Sequence, residues 1–175
     1  MPGIDESREF QALGIAILTV SDTRTLENDT SGATLEGRAT GAGHRVVERR
    51  IVIDDRQVIV DQLRAWMARQ DIHVILTTGG TGLTGRDVTP EAVMDVAEKE
   101  IPGFGEIFRM LSYEHIGTST LQSRALGVVA GGTYVFALPG STGACKDAWD
   151  GILASQLDVR YRPCNFVEIL PRLSE

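Results

Sequence analysis

Three glycines within four positions form the clearest candidate for a site of chemistry in this chain. The segment Thr77–Gly82 has the sequence TTGGTG and follows a short apolar run. Glycine tolerates positive φ and lets backbone amides approach a ligand closely, so such a loop suits the oxygens of a phosphate. The spacing is neither the GxxxxGK[ST] of a P-loop nor the GxGxxG of a dinucleotide fold. A tight turn without a ligand is the alternative interpretation.

Asp87 follows the glycine-rich loop in sequence and could bind a hard cation there. Asp87 lies two residues before Thr89, which we expect to cap a helix that has Pro90 in its first turn. That cap would leave the Asp87 carboxylate without a structural role, and Mg²⁺ bound to phosphates typically takes one or two carboxylates. A solvated loop aspartate, or an ion pair with Arg86, is the alternative.

Further acidic residues end two predicted strands. Asp54 and Asp55 lie where a strand meets a helix, so one of them can cap the helix and the other remains available to the site. Asp22 ends an earlier strand and could also face the site, although an Asp directly after Ser21 is typical of a turn.

A second anion pocket is predicted at the corner Leu138–Thr142, which has the sequence LPGST. Ser141 can cap the final helix, and the free amides of a first helical turn attract anions whether or not it does so. The segment Ser119–Arg124 adds hydroxyls, and the Arg124 guanidinium suits a phosphate fork or, alternatively, a surface ion pair.

Histidine and cysteine offer little chemistry here. His44, His73 and His115 show no ligand spacing, which favours structural histidines. Cys145 and Cys164 are far apart and have no CxxC or His/Cys cluster around them, so neither a zinc site nor a disulfide is indicated. We expect reduced thiols, with Cys145 buried.

Alternating strands and helices are predicted to position these residues. Gly14–Val20 and 73–77 are apolar runs typical of buried strands, and a further strand covers about 44–53. Helices are predicted from Ser31 and from Asp55. The resulting βαβ units imply right-handed crossovers and a parallel sheet with helices on both faces, where ligands bind beyond the carboxyl ends of the strands.

The second half adds a hairpin to this pattern. Two strands, 125–130 and 133–138, are separated only by Gly131-Gly132, which predicts one antiparallel pair. Helices are expected over about 105–113 and 142–157, the latter ended by the Pro163 region. The predicted fold is therefore a three-layer α/β/α, Rossmann-like domain with a mostly parallel sheet.

Composition narrows the class of protein. The 175 residues are 42% hydrophobic with a formal charge of −7, as expected for one globular domain over 1–175 with an ordered core at about 12–168 and an N-terminal tail at 1–11. An acidic chain is a poor general nucleic-acid binder. We find no apolar run near the about 20 residues of a membrane span and no signal-peptide h-region, which predicts a cytoplasmic protein without membrane contact.

The motifs together resemble a known family. TTGGTG at 77–82, DVTPEA at 87–92 and LPGS at 138–141 are similar to the MoaB/MogA family of molybdenum cofactor biosynthesis proteins. The segments 102–112 and 117–124 resemble its B-type members in particular. The resemblance extends from about Gly14 to Phe166.

Membership would imply a molybdopterin-binding-like fold and Mg²⁺-ATP-dependent adenylylation of molybdopterin at its terminal phosphate. It also implies a homotrimer or homohexamer and possible contacts with other cofactor-synthesis proteins. By motif, Asp87 and Asp54 would hold the metal and support catalysis. The substrate-binding positions would be Gly79, Gly80, Thr81, Gly82, Ser123, Pro139, Gly140, Ser141 and Asp22.

Two rival functions fit the same residues. A non-catalytic molybdopterin-binding or scaffold protein of the same pathway would have the same fold and pocket. A nucleotide hydrolase could use the glycine-rich loop, but no residue with an evident role in orienting water accompanies it.

Overall fold

The computed structural model describes residues 1–175 and is built around a six-stranded mixed sheet with helices on both faces. The strand order is β3-β2-β4-β7-β6-β5. The strands are β2 (Gly14–Val20), β3 (Arg45–Val52), β4 (Val74–Thr78), β5 (Lys99–Glu100), β6 (Leu126–Ala130) and β7 (Thr133–Leu138). The predicted three-layer fold class is confirmed.

The parallel part of the sheet carries the site. Strand β2 is buried at every position and pairs in parallel with both β3 and β4, and β4 pairs in parallel with β7. In register, Thr19 lies beside Thr78, and Thr78 beside Leu138. The carboxyl ends of these strands therefore share one edge, from which their loops project.

The antiparallel part begins at the predicted hairpin. Strands β6 and β7 are joined by Gly131 and Gly132, whose φ angles of 56° and 76° are those of a tight hairpin turn. The two-residue strand β5, which the sequence did not reveal, adds a second antiparallel pairing outside β6.

Helices cover both faces of the sheet. They are α1 (Thr30–Gly41), α2 (Arg56–Met67), α3 (Thr89–Met94), α4 (Pro102–Ile116), α5 (Thr142–Ala148), α6 (Ala154–Gln156) and α7 (Phe166–Ile169). A π-helical turn, Trp149–Leu153, links α5 to α6. This last helical stretch ends before residue 157, so Pro163 is not what ends it. None of the helices combines the length and apolar character needed to cross a bilayer.

Two apolar clusters hold the layers together. On one face, Leu35, Phe136 and Trp149 belong to a core that includes α1, α4 and α5. On the other face, Ile59 and Trp66 of α2 pack with residues of α3 and of the central strands. Ile59, Leu63 and Trp66 follow one another at helical spacing and form the buried face of α2.

The N-terminal segment contacts the end of the chain. Strand β1 (Gly3–Ile4) pairs antiparallel with β8 (Tyr161–Arg162). Arg8 donates hydrogen bonds of 2.5 Å to the Val159 carbonyl and 2.6 Å to the Glu168 carboxylate. These contacts involve the stretch 1–11 that the sequence suggested as a tail.

Candidate active site

A cavity of about 390 Å³ lies beyond the carboxyl ends of β4 and β7. It is bordered by the glycine-rich loop, the corner before α5, helix α4 and the 3₁₀ turn Gly117–Gln122. Residues predicted for the site that line it are Gly79, Gly80, Thr81, Gly82, Asp87, Ser123, Pro139, Gly140 and Ser141. The structure thus brings together residues that lie more than 60 positions apart in sequence.

The glycine-rich loop needs its glycines for steric reasons. Gly79 and Gly80 have φ angles of 100° and 67°. A β-carbon on Gly79 would lie 2.3 Å from the Val20 carbonyl oxygen, and one on Gly80 would lie 2.4 Å from Thr89 Oγ1. A larger residue at either position would have to displace neighbouring atoms as well as adopt a strained backbone.

In this loop the carbonyl groups accept hydrogen bonds from the protein, whereas two of the amides have no protein acceptor. Thr89 Oγ1 donates to the Gly79 carbonyl at 2.8 Å, and the Thr89 amide donates to the Gly80 carbonyl at 3.0 Å. The carbonyls of Thr81 and Gly82 accept from the amide and guanidinium of Arg124 at 3.2 and 2.8 Å. By contrast, the amides of Gly80 and Thr81 have no acceptor within the protein. The loop therefore offers unpaired donors where a ligand oxygen can accept.

Thr89 differs from its expected role. It is the first residue of α3 rather than its N-cap, and Val88 occupies the cap position without a side-chain hydrogen bond. The Thr89 hydroxyl instead bonds the Gly79 carbonyl. A capping threonine would bond an amide of its own helix, and here the nearby loop carbonyl competes successfully for the hydroxyl.

Asp87 lines the cavity and has a structural role as well. Its Oδ2 accepts from the Thr84 amide at 2.9 Å and from Thr84 Oγ1 at 2.6 Å, which closes the turn. The expectation that its carboxylate has no structural task is therefore wrong. The Thr84 hydroxyl, more than any other group, holds the pKa of Asp87 below its ordinary value. The carboxylate is ionised at neutral pH.

Asp54 is the one of the two aspartates at the start of α2 that does not cap the helix. Asp55 caps the helix, accepting from the Val58 amide at 3.0 Å, so Asp54 is not needed as the cap. A β-carbon on Gly80 would come within 3.2 Å of Asp54 Oδ1, which places this oxygen against the glycine-rich loop. Burial and then the neighbouring Asp22 carboxylate raise the pKa of Asp54.

Asp22 lies outside the cavity and supports Asp54. Its Oδ1 accepts from the Asp54 amide at 3.0 Å, and its Oδ2 pairs with Arg86 at 2.5 Å. Arg86 thus pairs with Asp22 and not with Asp87. The Arg86 hydrogen bond is the main cause that lowers the pKa of Asp22.

The corner before α5 closes the cavity on another side. Ser141 caps α5, with its Oγ accepting from the Ala144 amide at 3.1 Å, and it also lines the cavity. Ser141 therefore caps the helix and also borders the candidate anion pocket, as the sequence allowed. A β-carbon on Gly140 would lie 3.2 Å from Gly79 Cα, so this glycine allows the corner to pack against the glycine-rich loop.

The Arg124 guanidinium is hydrogen-bonded within the protein and is not available to bind a phosphate. Its guanidinium donates to the Gly82 carbonyl at 2.8 Å, to the Asp87 carbonyl at 2.7 Å and to the Glu91 carboxylate. The alternative interpretation, a surface ion pair, agrees with the bond to Glu91, but the other hydrogen bonds of the guanidinium go to backbone carbonyls.

One wall of the cavity was not predicted from the sequence. It comes from α4, through Phe108, Ser112 and Ile116, and it adjoins Ser119 and Gln122 of the segment Ser119–Arg124 that the sequence did indicate. Ser112 is only 4% exposed, and its hydroxyl makes no hydrogen bond within the protein. The i, i+4, i+8 spacing of the first three residues marks one helix face and could have indicated this wall.

The carboxylate oxygens at this site are suited to a hard cation whose coordination is completed by oxygens of a bound ligand. No three His, Cys, Asp or Glu side chains come together as a metal-binding group. Asp87 lines the cavity, whereas Asp54 does not line it but has one carboxylate oxygen against Gly80 of the glycine-rich loop. Mg²⁺ commonly binds through one or two carboxylates while phosphates and waters supply the remaining oxygens, so these residues fit it.

The histidines and cysteines lie in other environments. His44 accepts from the Leu13 amide at 3.2 Å, and His73 accepts from the Gly14 amide at 2.9 Å. Cys145 is buried beneath the site, where desolvation raises the pKa of its thiol to about 11. Both cysteines are free thiols, and Cys164 is exposed.

Comparison with known proteins places this architecture in context. Residues 16–159 match the MoCF_biosynth family, described as "Probable molybdopterin binding domain". The chain is 56% identical over 160 residues to molybdenum cofactor biosynthesis protein B of Escherichia coli (strain K12), covering 91% of this chain and 94% of the relative. It is 48% identical over 142 residues to the protein of that name in Bacillus cereus, covering 81% and 84%.

Solved structures show the same relationship. A crystal structure of a molybdenum cofactor biosynthesis protein B superposes with a TM-score of 0.86 at 41% identity, covering 95% of this chain and 98% of the other. The tungsten cofactor synthesizing protein MoaB from Pyrococcus furiosus gives a TM-score of 0.77 at 31% identity, covering 94% and 99%.

Proposed function

The chain belongs to the MoCF_biosynth family and acts in molybdenum cofactor biosynthesis, and from this premise we propose that it is a Mg²⁺-ATP-dependent molybdopterin adenylyltransferase. A terminal phosphate oxygen of molybdopterin attacks the α-phosphorus of ATP. The bond from that phosphorus to the oxygen bridging the α- and β-phosphates breaks, and pyrophosphate leaves. Phosphoryl chemistry of this kind depends on positioning and charge stabilisation more than on a covalent nucleophile.

The unpaired amides of the glycine-rich loop carry the proposal. Gly80 and Thr81 offer two N–H donors beside a cavity that also contains Asp87. Phosphate oxygens are natural acceptors for such amides. Gly79 and Gly82 complete the loop, while Ser123 and Ser141 add hydroxyls and Pro139 with Gly140 shapes the opposite side.

Asp54 and Asp87 are the residues that would hold the metal. Mg²⁺, when bound, neutralises charge on the transferring phosphoryl group. The partly buried Asp54 carboxylate is suited to a cation, because burial has already removed part of its hydration. Asp22 and Arg86 hold the Asp54 loop in place from outside.

The proposal extends to the organisation of the protein. We propose a single molybdopterin-binding domain over 1–175 with its core at about 12–168, acting in the cytoplasm as a homotrimer or homohexamer. Contacts with other cofactor-synthesis proteins would follow from the pathway, because an adenylylated pterin has to be passed on for metal insertion. Neither nucleic acid nor a membrane is among the proposed partners.

The direct test is product formation. Purified protein is incubated with molybdopterin, ATP and Mg²⁺, and adenylylated molybdopterin and pyrophosphate are detected by chromatography. We expect both products above a control without enzyme. Molybdopterin binding without product, under conditions in which an active relative makes it, would refute the transferase and support the scaffold alternative.

A further inference from the structure

Arg124 connects two walls of the cavity. It follows the 3₁₀ turn Gly117–Gln122, which contributes Ser119 and Gln122 to one wall. Its donors reach the opposite wall, the stretch from the glycine-rich loop to Asp87. The Arg124 side chain is 31% exposed, so much of the guanidinium is sheltered from water.

The hydrogen bonds of Arg124 span that stretch from end to end. The amide bonds the Thr81 carbonyl at 3.2 Å and Nε bonds the Gly82 carbonyl at 2.8 Å, so the start of the stretch is held twice. Nη2 bonds the Asp87 carbonyl at 2.7 Å, which holds its end. A planar guanidinium can serve several acceptors in a fixed fork, whereas an ammonium cannot.

These contacts determine which groups of the loop face the ligand. Each carbonyl lies in one rigid peptide plane with the amide of the next residue, so the bonds from Arg124 to the Thr81 and Gly82 carbonyls fix the directions of the Gly82 and Leu83 amides. The same clamp sets the position of the Asp87 backbone and thus of its carboxylate. A loop released from the clamp could turn its carbonyls towards the cavity, where they would repel a phosphate.

We infer that Arg124 is a positioning residue that holds the Gly82 end of the glycine-rich loop, with the Gly82 amide, and the Asp87 carboxylate in their ligand-binding arrangement without touching the ligand. The identity of that ligand rests on the proposed function. The positioning role can be measured without catalysis, because it concerns the loop itself.

The test compares Arg124→Ala, Arg124→Lys and the matched control Glu91→Gln. The control weakens the ion pair but keeps the Glu91 acceptor oxygen and leaves both carbonyl bonds of the guanidinium in place. Hydrogen–deuterium exchange over 79–87 is measured in each full-length protein, together with its molybdopterin dissociation constant and melting temperature.

We expect both Arg124 variants to accelerate exchange over 79–87 and to weaken molybdopterin binding by about tenfold, since small displacements of positioned groups have effects of this size or larger. Glu91→Gln should change binding less than about threefold. Millimolar guanidinium should restore binding to Arg124→Ala, whereas an ammonium salt of equal ionic strength should not.

Unchanged exchange and binding in Arg124→Ala would overturn the inference. So would a loss of binding that guanidinium fails to restore, because the effect would then be general destabilisation. A wild-type protein that forms no adenylylated product would refute the proposed function and leave the exchange and binding results to decide the role of Arg124 separately.

Discussion

The two carboxylates assigned to the metal have opposite electrostatic environments. Hydrogen bonds from Thr84 and nearby amides lower the pKa of Asp87, whereas burial and the Asp22 carboxylate raise that of Asp54. Asp87 is thus held as an anion by the protein, while Asp54 has its charge opposed by its surroundings. A cation bound between ligand phosphates and these residues would stabilise the ionised form of both.

Asp87→Asn should separate catalysis from binding. The amide oxygen can still accept from Thr84, so the turn should persist, but the charge that would hold Mg²⁺ is lost. We expect turnover to fall by at least about 100-fold, comparable to the loss of a key electrostatic group, with molybdopterin affinity nearly retained. Product formation and fluorescence binding measure the two quantities. Asp150→Asn, at a surface pair with Arg38, is the control, and equal turnover in both variants would contradict the role of Asp87.

Asp54→Asn should lose activity without losing stability. Because the folded-state pKa of Asp54 lies above its ordinary value, ionisation opposes folding. The contribution of this group to stability is present at low pH and is lost as the pH rises through the raised pKa. At pH 7 the variant should therefore melt at the same temperature as the wild type or higher, and any advantage should shrink as the pH falls towards about 4.

Thermal denaturation over this pH range and the adenylylation assay measure the two effects. Asp55→Asn is the matched control, since Asn caps a helix as well as Asp and Asp55 is not one of the proposed metal ligands. An Asp54→Asn protein that melts well below wild type at pH 7 would show that the carboxylate stabilises the fold.

At the level of elements, the glycine-rich loop leaves no room for a side chain at Gly79. Gly79→Ala should destabilise the protein because its φ of 100° strains an alanine and the new β-carbon would meet the Val20 carbonyl. Backbone strain alone costs about 1–3 kcal/mol. With about 2–4 °C per kcal/mol for a chain of this size, the melting temperature should fall by at least about 2 °C.

The turn that follows this loop provides the control. Gly85 has no positive φ and no neighbouring atom within 4 Å of an added β-carbon, so Gly85→Ala should leave the melting temperature nearly unchanged. Equal stability of the two variants in thermal denaturation would disprove the steric argument for Gly79.

Elements with a strong local pattern could be predicted from the sequence. Strand β2 begins and ends at the expected residues because every position in it is buried, and the Gly131-Gly132 hairpin follows from turn chemistry. The two-residue β5 has no such pattern, because a pairing this short depends on the neighbouring strand rather than on its own residues.

Side chains that bond to distant backbone were the part that could not be predicted. Arg124 bonds carbonyls 37 and 42 residues earlier in the chain, and a backbone carbonyl carries no signature of residue type. Thr89 was mistaken for a cap for the same reason, since its partner is the Gly79 carbonyl. The motif positions lining the cavity could be named because glycine, serine and aspartate have distinctive chemistry.

On the scale of the whole molecule, helix α4 has one face in the cavity and another in solvent. Its apolar residues Ile107, Met110, Tyr113 and Ile116 are 46%, 62%, 57% and 54% exposed. A contiguous apolar surface of this kind is typical of a protein–protein interface, and closed symmetric assemblies of identical chains are the commonest outcome. We propose that a second copy of the chain covers it. Ile116 also lines the cavity, so the neighbouring copy would lie close to the site.

Assembly through α4 can be tested by solution mass. Light scattering after size exclusion should give three or six times the 19.0 kDa of one chain for the wild type. Met110→Glu should shift the protein towards lower mass, because burying an unpaired carboxylate in an apolar contact is strongly unfavourable. Val58→Glu, an equally charged change on the other face of the sheet, should leave the mass unchanged. A wild-type protein of 19.0 kDa in solution, or an assembly that Met110→Glu leaves intact, would exclude this surface as the interface.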